Sequence, residues 1–157
     1  MHKVPITPSG HKKLKEELER LITIERPKNV AAIAEARAHG DLSENAEYHA
    51  AKERQSFIQG RIQELQTKIA NANIIDPSTI SQDKIAFGAK VKLADTESDK
   101  ECVYYIVGPD ESDVKSGRIS INSPVARSLI GKEEGDIVVV QAPAKTIEYE
   151  ILEISFE

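Results

Sequence analysis

The sequence predicts an α+β protein, in which a long antiparallel helical hairpin precedes a small antiparallel sheet with one helix. In the first half of the 157 residues, apolar side chains recur every three or four positions, which indicates helices. In much of the second half they recur every second position, which indicates strands. The period changes near Asp76-Pro77-Ser78, so we expect one domain over residues 1–76 and another over residues 77–157.

The first helix is predicted to begin at Thr7-Pro8, because a hydroxyl residue followed by Pro is a typical helix start. Pro27 lies within the helical pattern and removes a hydrogen-bond donor, so we expect a kink or a loosened turn there. Gly40 is a typical residue for the end of the helix. The apolar stripe of this helix comprises Leu14, Leu18, Leu21, Ile24, Val30 and Ile33.

A second helix is predicted to begin after Asp41, with an apolar stripe formed by Ile58, Ile62, Leu65 and Ile69. Leu14 can face Ile69 and Leu21 can face Ile62 in one antiparallel register, with the tip near residues 40–45. Each arm of roughly 30 residues is then about 45 Å long. Since no third helix of similar length is predicted, we expect the hairpin to project.

The second half carries five segments with strand character and one short helical segment, which begins at Ser123-Pro124 and ends at Gly131. We expect five or six antiparallel strands around this helix, with a modest core. The strand segments are Ala89–Ala94, Glu101–Val107, Arg118–Ile121, Asp136–Gln141 and Thr146–Ile154.

The charge of the chain is unevenly distributed. The formal net charge is -5, but residues 1–76 contain 12 Lys and Arg against 11 Asp and Glu, whereas residues 77–157 contain 9 against 15. The overall charge therefore does not exclude nucleic acid as a partner of the first half.

Other features of the composition exclude several classes of function. Aromatic residues make up only 4% of the chain and Trp is absent, so we expect no base-stacking platform. The single cysteine, Cys102, excludes an internal disulfide and a cysteine metal cluster, and its place in a strand predicts an inert core thiol. Without an apolar run near 18 residues or a leader, we expect a cytoplasmic protein with no membrane partner.

Asp41 and Glu44 are the leading candidates for a functional site, because they lie three residues apart at the predicted tip. One interpretation is a carboxylate version of the capping box at the start of the second helix. The other is a pair of ligands for a divalent cation, which would relieve their mutual repulsion. Two or three carboxylate oxygens cannot hold Mg²⁺ alone, so a partner would supply its other ligands.

Basic residues flank the predicted tip, namely Arg37, Lys52 and Arg54. They form either a solvated face with helical ion pairs or a contact with nucleic-acid phosphates. We expect no metal site at His39 or His49, and Tyr48 is interpreted as a packing residue. The sequence has no Gly-rich phosphate loop, nucleophile elbow or Walker motif, which argues against a self-contained active site.

Two long motifs identify a family resemblance. Arg26-Pro27, Ile33–Arg37 (IAEAR) and Gly40–Lys52 (GDLSENAEYHAAK) closely resemble the signature of the bacterial transcript cleavage factors of the Gre family. Ile119–Ala126 (ISINSPVA) and Leu129–Lys132 (LIGK) resemble the C-terminal motif of the same family. The resemblance covers the whole chain and is strongest to the GreA type, whose basic flank is modest.

This resemblance implies an N-terminal antiparallel coiled coil and a C-terminal domain similar to FK506-binding proteins. The C-terminal domain is expected to dock at the rim of the secondary channel of bacterial RNA polymerase, and the coiled coil to reach the active centre. There Asp41 and Glu44 would help to hold a second Mg²⁺ that this chain does not bind stably alone. The chain would be an accessory factor, not an enzyme, that stimulates the polymerase to cleave backtracked nascent RNA.

The resemblance also assigns expected contacts. Arg37 and Lys52 correspond to the basic patch that contacts the 3′ segment of the nascent RNA. The region that begins at Ser123 and Pro124 is the expected polymerase-docking surface, and we expect a monomer. Ala38 stands where many relatives carry an acidic residue, which changes the charge of the tip but leaves Asp41 and Glu44 in place.

Three alternatives differ in what they require. A channel-binding regulator or inhibitor without cleavage stimulation would share the architecture and would be favoured by a rearranged tip. A prolyl isomerase would need an apolar aromatic pocket, for which this chain has few residues, and fold alone does not confer that activity. A purely structural coiled coil would leave the tip motif without an explanation.

Overall fold

The structure is a computed structural model, and it describes residues 3–79, 82–141 and 144–156. These residues form two compact units: His11–Asn71 is one, and the described residues of Met1–Gly10 and Ala72–Glu157 form the other. The division differs from the predicted boundary, because strand β1 (Val4–Ile6) pairs in parallel with strand β2 (Ala72–Ile74). This pairing places the beginning of the chain with its C-terminal half.

Helix α1 (Pro8–Arg20), one π-helical turn and helix α2 (Arg26–Ala38) precede helix α3 (Ala46–Asn71). The predicted start of the first helix is confirmed, since the Thr7 hydroxyl accepts a hydrogen bond from the Gly10 N–H at 3.1 Å. The antiparallel hairpin is also confirmed. Its buried apolar seam comprises Leu14, Leu21, Ile33, Ala36, Ala51, Ile58, Ile62 and Leu65.

The π-helical turn (Leu21–Glu25) changes which side chains face the seam. It ends two residues before Pro27, and the Arg26 N–H donates to the carbonyl of Leu21, five residues earlier. A π turn inserts one extra residue into a helix, so the helical stripe shifts beyond it. The prediction that Ile24 and Val30 belong to the seam is therefore wrong, because both are exposed.

Asn29 takes the buried position next to Val30. Its side-chain amide donates a hydrogen bond of 2.9 Å to the Ala51 carbonyl of α3. This contact satisfies the buried amide and also fixes one register between α2 and α3.

The second unit contains a five-stranded sheet in the order β5-β4-β3-β7-β6. Most of its neighbours are antiparallel, as predicted, but β5 runs parallel to β4. The prediction of a wholly antiparallel sheet is wrong at this strand, because residues 108–117 return the chain to Tyr105, whose N–H donates to Gly117. The strands are β3 (Ala89–Asp95), β4 (Glu101–Val107), β5 (Arg118–Ser120), β6 (Ile137–Gln141) and β7 (Thr146–Phe156).

One short helix, α4 (Pro124–Leu129), covers one face of this sheet. Its Ala126 and Leu129 are fully buried against side chains of the strands, so the helix closes the core as predicted. The fully buried strand residues of this core include Val91, Leu93, Ile106 and Ile151. Among the helices of the described residues, none is long and apolar enough to cross a membrane.

Candidate functional site

The turn between α2 and α3 reverses the chain at two consecutive residues with positive φ. Gly40 has φ 79° and Asp41 has φ 24°. Glycine adopts this region at little cost, and Asp tolerates it better than most side chains do. The Asp41 carbonyl accepts a hydrogen bond from the Glu44 N–H at 3.3 Å, which closes a tight turn. The tip motif is thus a shaped loop between the two helices.

Asn45 is the residue that holds this turn together. Its side-chain oxygen accepts a hydrogen bond from the Tyr48 N–H at 3.0 Å, which caps the start of α3. Its side-chain nitrogen donates to the carbonyls of Ala36 at 2.7 Å and Gly40 at 3.4 Å, near the end of α2. One amide therefore satisfies backbone groups at both helix ends.

The capping-box interpretation of Asp41 and Glu44 is wrong. Helix α3 begins at Ala46, later than predicted, because the two residues with positive φ delay the helix and Asn45 supplies the cap. The Asp41 carboxylate accepts a hydrogen bond only from the Ser43 hydroxyl, at 2.9 Å, and the Glu44 side chain has no such partner among the described residues. Both carboxylates are exposed.

These two carboxylates have the chemistry of a partial magnesium site. Mg²⁺ prefers carboxylate oxygens, and both side chains are exposed on the same short turn. Over residues 3–79, 82–141 and 144–156, no group of three or more His, Cys, Asp and Glu side chains is arranged to hold a metal ion. Two carboxylates by themselves do not complete the octahedral shell that Mg²⁺ requires.

The structure brings Arg37 and Lys52 together. Both are exposed, and both line a shallow groove of about 240 Å³ between α2 and α3, together with Val30, Ile33, Ala34 and Gln55. Lys52 Nζ donates to Gln55 Oε1 at 2.9 Å. Two positively charged side chains beside apolar residues suit a nucleic-acid strand, whose phosphates they can contact.

Arg54, the third predicted basic residue, does not line this groove. Its guanidinium lies 3.5 Å from the Glu25 carboxylate and 5.1 Å from the centre of the Phe57 ring. An exposed ion pair of this kind contributes little stability.

Tyr48 lies between the acidic turn and the basic groove. The Arg37 guanidinium is 5.9 Å from the centre of its ring, which is the range of a cation–π contact. The prediction of a packing role is therefore incomplete, because Tyr48 also orients one of the candidate binding residues.

The two histidines near the tip each make a local contact. His39 Nε2 lies 3.8 Å from Glu47, and His49 Nε2 donates to the Ser43 carbonyl at 3.0 Å.

The predicted docking region lies at the start of α4. The Ser123 hydroxyl caps this helix by accepting a hydrogen bond from the Ala126 N–H at 3.2 Å. Pro124 follows it at the first helical position and is exposed. Within this region, Pro124 and the partly exposed Ile130 are available to a partner, whereas Ala126 and Leu129 are core.

Sequence reasoning missed Asn45 as the cap. The signal was present, since Asn ranks with Asp and Ser at helix starts and Asn45 directly precedes the helical run. It was obscured because Asp41, Ser43 and Asn45 are all acceptable caps within five residues.

The comparisons with known proteins cover both units of the chain. Residues 4–74 match the family described as "Transcription elongation factor, N-terminal", and residues 80–156 match "Transcription elongation factor, GreA/GreB, C-term". The transcription elongation factor GreA of Thermodesulfovibrio yellowstonii is 65% identical over 155 residues, which cover 99% of this chain and 98% of that protein. This chain belongs to the GreA/GreB family of transcription elongation factors.

Further similarities span the whole length. GreA of Alkalilimnicola ehrlichii is 60% identical over 157 residues, with 99% of each chain covered. Among solved structures, GreA factor homolog 1 (Gfh1) of Thermus thermophilus is similar at 25% identity and a TM-score of 0.45, with 98% of this chain and 99% of that chain covered. As a GreA/GreB factor, the chain acts on RNA polymerase in transcription elongation as an accessory factor, not as an enzyme.

Proposed function

We propose that this factor inserts its helical tip into the secondary channel of bacterial RNA polymerase and stimulates cleavage of backtracked nascent RNA. The observation that carries the proposal is that different side chains of the turn form the helix cap and face the solvent. Asn45 makes the hydrogen bonds that cap the helix, while the side chains of Asp41 and Glu44 remain exposed and bond to neither helix end. Exposed carboxylates at the end of a hairpin are available to a partner.

Asp41 and Glu44 would supply oxygen ligands toward a Mg²⁺ ion that is completed by groups of the polymerase. When bound, such an ion activates water or stabilises the leaving oxygen in phosphodiester hydrolysis. The contribution of this chain is to bring two carboxylates, held on a short closed turn, to the place where the polymerase binds the ion. Neither carboxylate has to break a helix cap in order to bind.

Arg37 and Lys52 would contact phosphates of the RNA 3′ segment. They share one groove on α2 and α3, and the Tyr48 ring lies against the Arg37 guanidinium. Each phosphate contact would weaken with rising salt, as counterion release requires. At the other unit, Pro124 and its neighbours at the start of α4 would meet the rim of the channel.

The test uses a stalled, backtracked elongation complex with Mg²⁺, in which the length of the RNA is followed after addition of each variant. We expect Asp41→Asn and Glu44→Gln to abolish stimulated cleavage while the helical content of the chain is unchanged. Glu53→Gln, which neutralises an exposed carboxylate on α3, is the matched control and should cleave normally. Full cleavage with the Asn and Gln variants would contradict the role of the pair.

The same assay separates this proposal from a regulator without cleavage activity. If the unmodified chain binds the polymerase and slows elongation but leaves backtracked RNA intact, the regulator is the correct assignment. Binding is measured independently by competition with a labelled copy of the chain, so a loss of cleavage is not confused with a loss of docking.

The RNA contact is tested by crosslinking the labelled 3′ end of the RNA to the factor at low and high salt. We expect Arg37→Gln and Lys52→Gln to reduce the crosslink several-fold at low salt. Lys28→Gln removes an exposed positive charge from outside the groove and should leave the crosslink unchanged. Equal crosslinking by all three variants would remove the groove from the proposal.

A further inference from the structure

Strand β6 forms an edge of the five-stranded sheet, since among the residues that the structure describes it pairs only with β7. Its sequence, Ile-Val-Val-Val-Gln, contains no charged residue, whereas edge strands are commonly protected by charges, proline or bulges. Val138 and Val140 point into the core. Ile137 and Val139 point the other way, and 60% and 55% of their surface is exposed. The edge therefore presents backbone and apolar side chains together.

The adjacent strand gives this apolar edge a definite charge. Ile137 is paired with Glu150, and Val139 is paired with Glu148. Directly opposite residues of an antiparallel pair lie on the same face of the sheet, so each exposed apolar side chain has a carboxylate beside it. Both glutamates are exposed. The face thus alternates between apolar and anionic positions across two strands.

A cavity at one end of this face adds to the negative charge. It has a volume of about 210 Å³, and its lining includes Val139 and the acidic residues Asp95, Glu97 and Glu148, against one cation, Lys145. Hydrogen bonds from the Glu97 and Ser98 N–H groups help to lower the pKa of the Asp95 carboxyl. The cavity can accept a cationic side chain that reaches past Val139.

We infer that the β6 face, defined as Ile137, Val139, Glu148 and Glu150, binds an extended basic segment of another protein. The segment would pair its backbone with the edge of β6, as in strand addition. Its apolar side chains would cover Ile137 and Val139, and its Lys or Arg side chains would reach the glutamates and the cavity. This site is distinct from the tip and from the start of α4, and it does not depend on the proposed function.

Charge argues against two other occupants. RNA would place phosphates against Glu148 and Glu150, which repel them. A second copy of this chain would bring a β6 strand without a cation and the same two glutamates, so it would add like charges to the face. A basic strand supplies the positive charges that pair with Glu148 and Glu150.

The test measures binding of the peptide Arg-Thr-Val-Thr-Arg, with blocked ends, to the full isotope-labelled chain by NMR titration, because alternation along a strand places its Arg and Val side chains on the same face. We expect amide shifts concentrated at Ile137–Gln141 and at Glu148–Glu150, and an affinity that falls as salt is raised. The peptide Glu-Thr-Val-Thr-Glu should not bind. Equal binding of both peptides, or shifts centred elsewhere, would overturn the inference.

Variants locate the contact. Val139→Lys places a positive charge at an exposed position, where it repels the positively charged peptide. It should weaken binding at least tenfold without unfolding the sheet. Glu148→Gln with Glu150→Gln should weaken it several-fold. The matched control is Glu133→Gln, which removes an exposed charge outside the β6 face and should have no effect. An equal loss with the control would show general attraction to an acidic protein, and a dimer in sedimentation would assign the face to a second copy.

Discussion

Glu111 accepts hydrogen bonds from both the backbone N–H and the hydroxyl of Thr7, 104 residues away in the chain. The same carboxylate accepts the Gly108 N–H at 3.0 Å, and Arg118 Nη2 lies 3.4 Å from it. Only 4% of the Glu111 side chain is exposed. Gly10 leaves the space that this carboxylate occupies, since an added Cβ there would collide with it. A single buried anion thus ties residue 7 to the C-terminal half of the chain.

Replacement of Glu111 by Ala should therefore destabilise the second unit by about 3 kcal/mol, because it leaves buried donors and a cation without their acceptor. Glu111→Gln keeps one acceptor oxygen but loses the charge, so its free energy of unfolding should lie between those of the unmodified chain and Glu111→Ala. Urea unfolding followed by the fluorescence of the tyrosines measures the change. Glu133→Ala is the control on an exposed glutamate, and an equal effect of both would contradict the buried anchor.

Asn45→Ala should lower the stability of the helical unit by about 1–2 kcal/mol, since both the cap and the donor to Ala36 are lost. Asn45→Asp should not restore it. Asp can cap α3, but its carboxylate would face the Ala36 and Gly40 carbonyls without a proton to donate. Thermal unfolding followed by circular dichroism at 222 nm tests this difference.

Ser43→Ala provides the control for that experiment, because its hydroxyl donates to the Asp41 side chain and not to a helix end. It should change stability by less than about 0.5 kcal/mol. If Asn45→Asp were as stable as the unmodified chain, the bridge to the end of α2 would have no energetic role.

The Glu17–Arg61 pair should make the stability of the hairpin sensitive to acid. Its two hydrogen bonds, of 2.6 and 2.8 Å, lower the pKa of Glu17 below its usual 4.5. A lowered pKa in the folded state stabilises the fold above the unfolded pKa, and this contribution is lost as the pH falls through the folded pKa. We expect Glu17→Gln to flatten this part of the acid dependence of the urea midpoint.

The control for the pH experiment is Glu16→Gln. Glu16 has an exposed partner, Lys12, at 3.9 Å, and such a pair contributes little. The acid profile of this variant should follow that of the unmodified chain. A profile unchanged by Glu17→Gln would show that the pair adds nothing to the pH dependence.

Cys102 should react slowly with iodoacetamide in the folded chain. It is partly buried on β4 beside Tyr104 and Tyr149, and burial is the main reason that the pKa of its thiol is raised. Burial likewise raises the pKa of Tyr149 to about 12. Because the thiolate is the reactive form, we expect alkylation at pH 8 to be at least tenfold faster in urea. Equal rates with and without urea would contradict this environment.

Most of the fold could be predicted because its periodicities are long and regular. The alternation through Val91 and Leu93 places β3 almost to the residue, and the leucines at positions 14 and 21 face the seam as expected. The exchange of Val30 for Asn29 could not be predicted from the pattern. It depends on the hydrogen bond from Arg26 to Leu21, which changes the helical register without changing the sequence spacing.

Contacts between distant segments were also outside the reach of local patterns. Strand β1 has only three residues and forms because β2 lies beside it, and Glu111 gains its role only from Thr7. At the candidate site, Asp41 and Glu44 were identified by residue type and spacing. Their freedom from the cap became visible only when the start of α3 was located at Ala46.

The double cap at Asn45 has a consequence for how this tip can change. Because the Asn45 amide, and not a carboxylate, bonds both helix ends, altering the acidic side chains costs the fold little, provided that position 41 keeps a residue that tolerates positive φ. Substitutions at Glu44, and at Asp41 those that tolerate positive φ such as Asn, can therefore be selected or designed for what they do at a partner alone. The hairpin is thus a stable support on which the acidic side chains of the tip can be replaced.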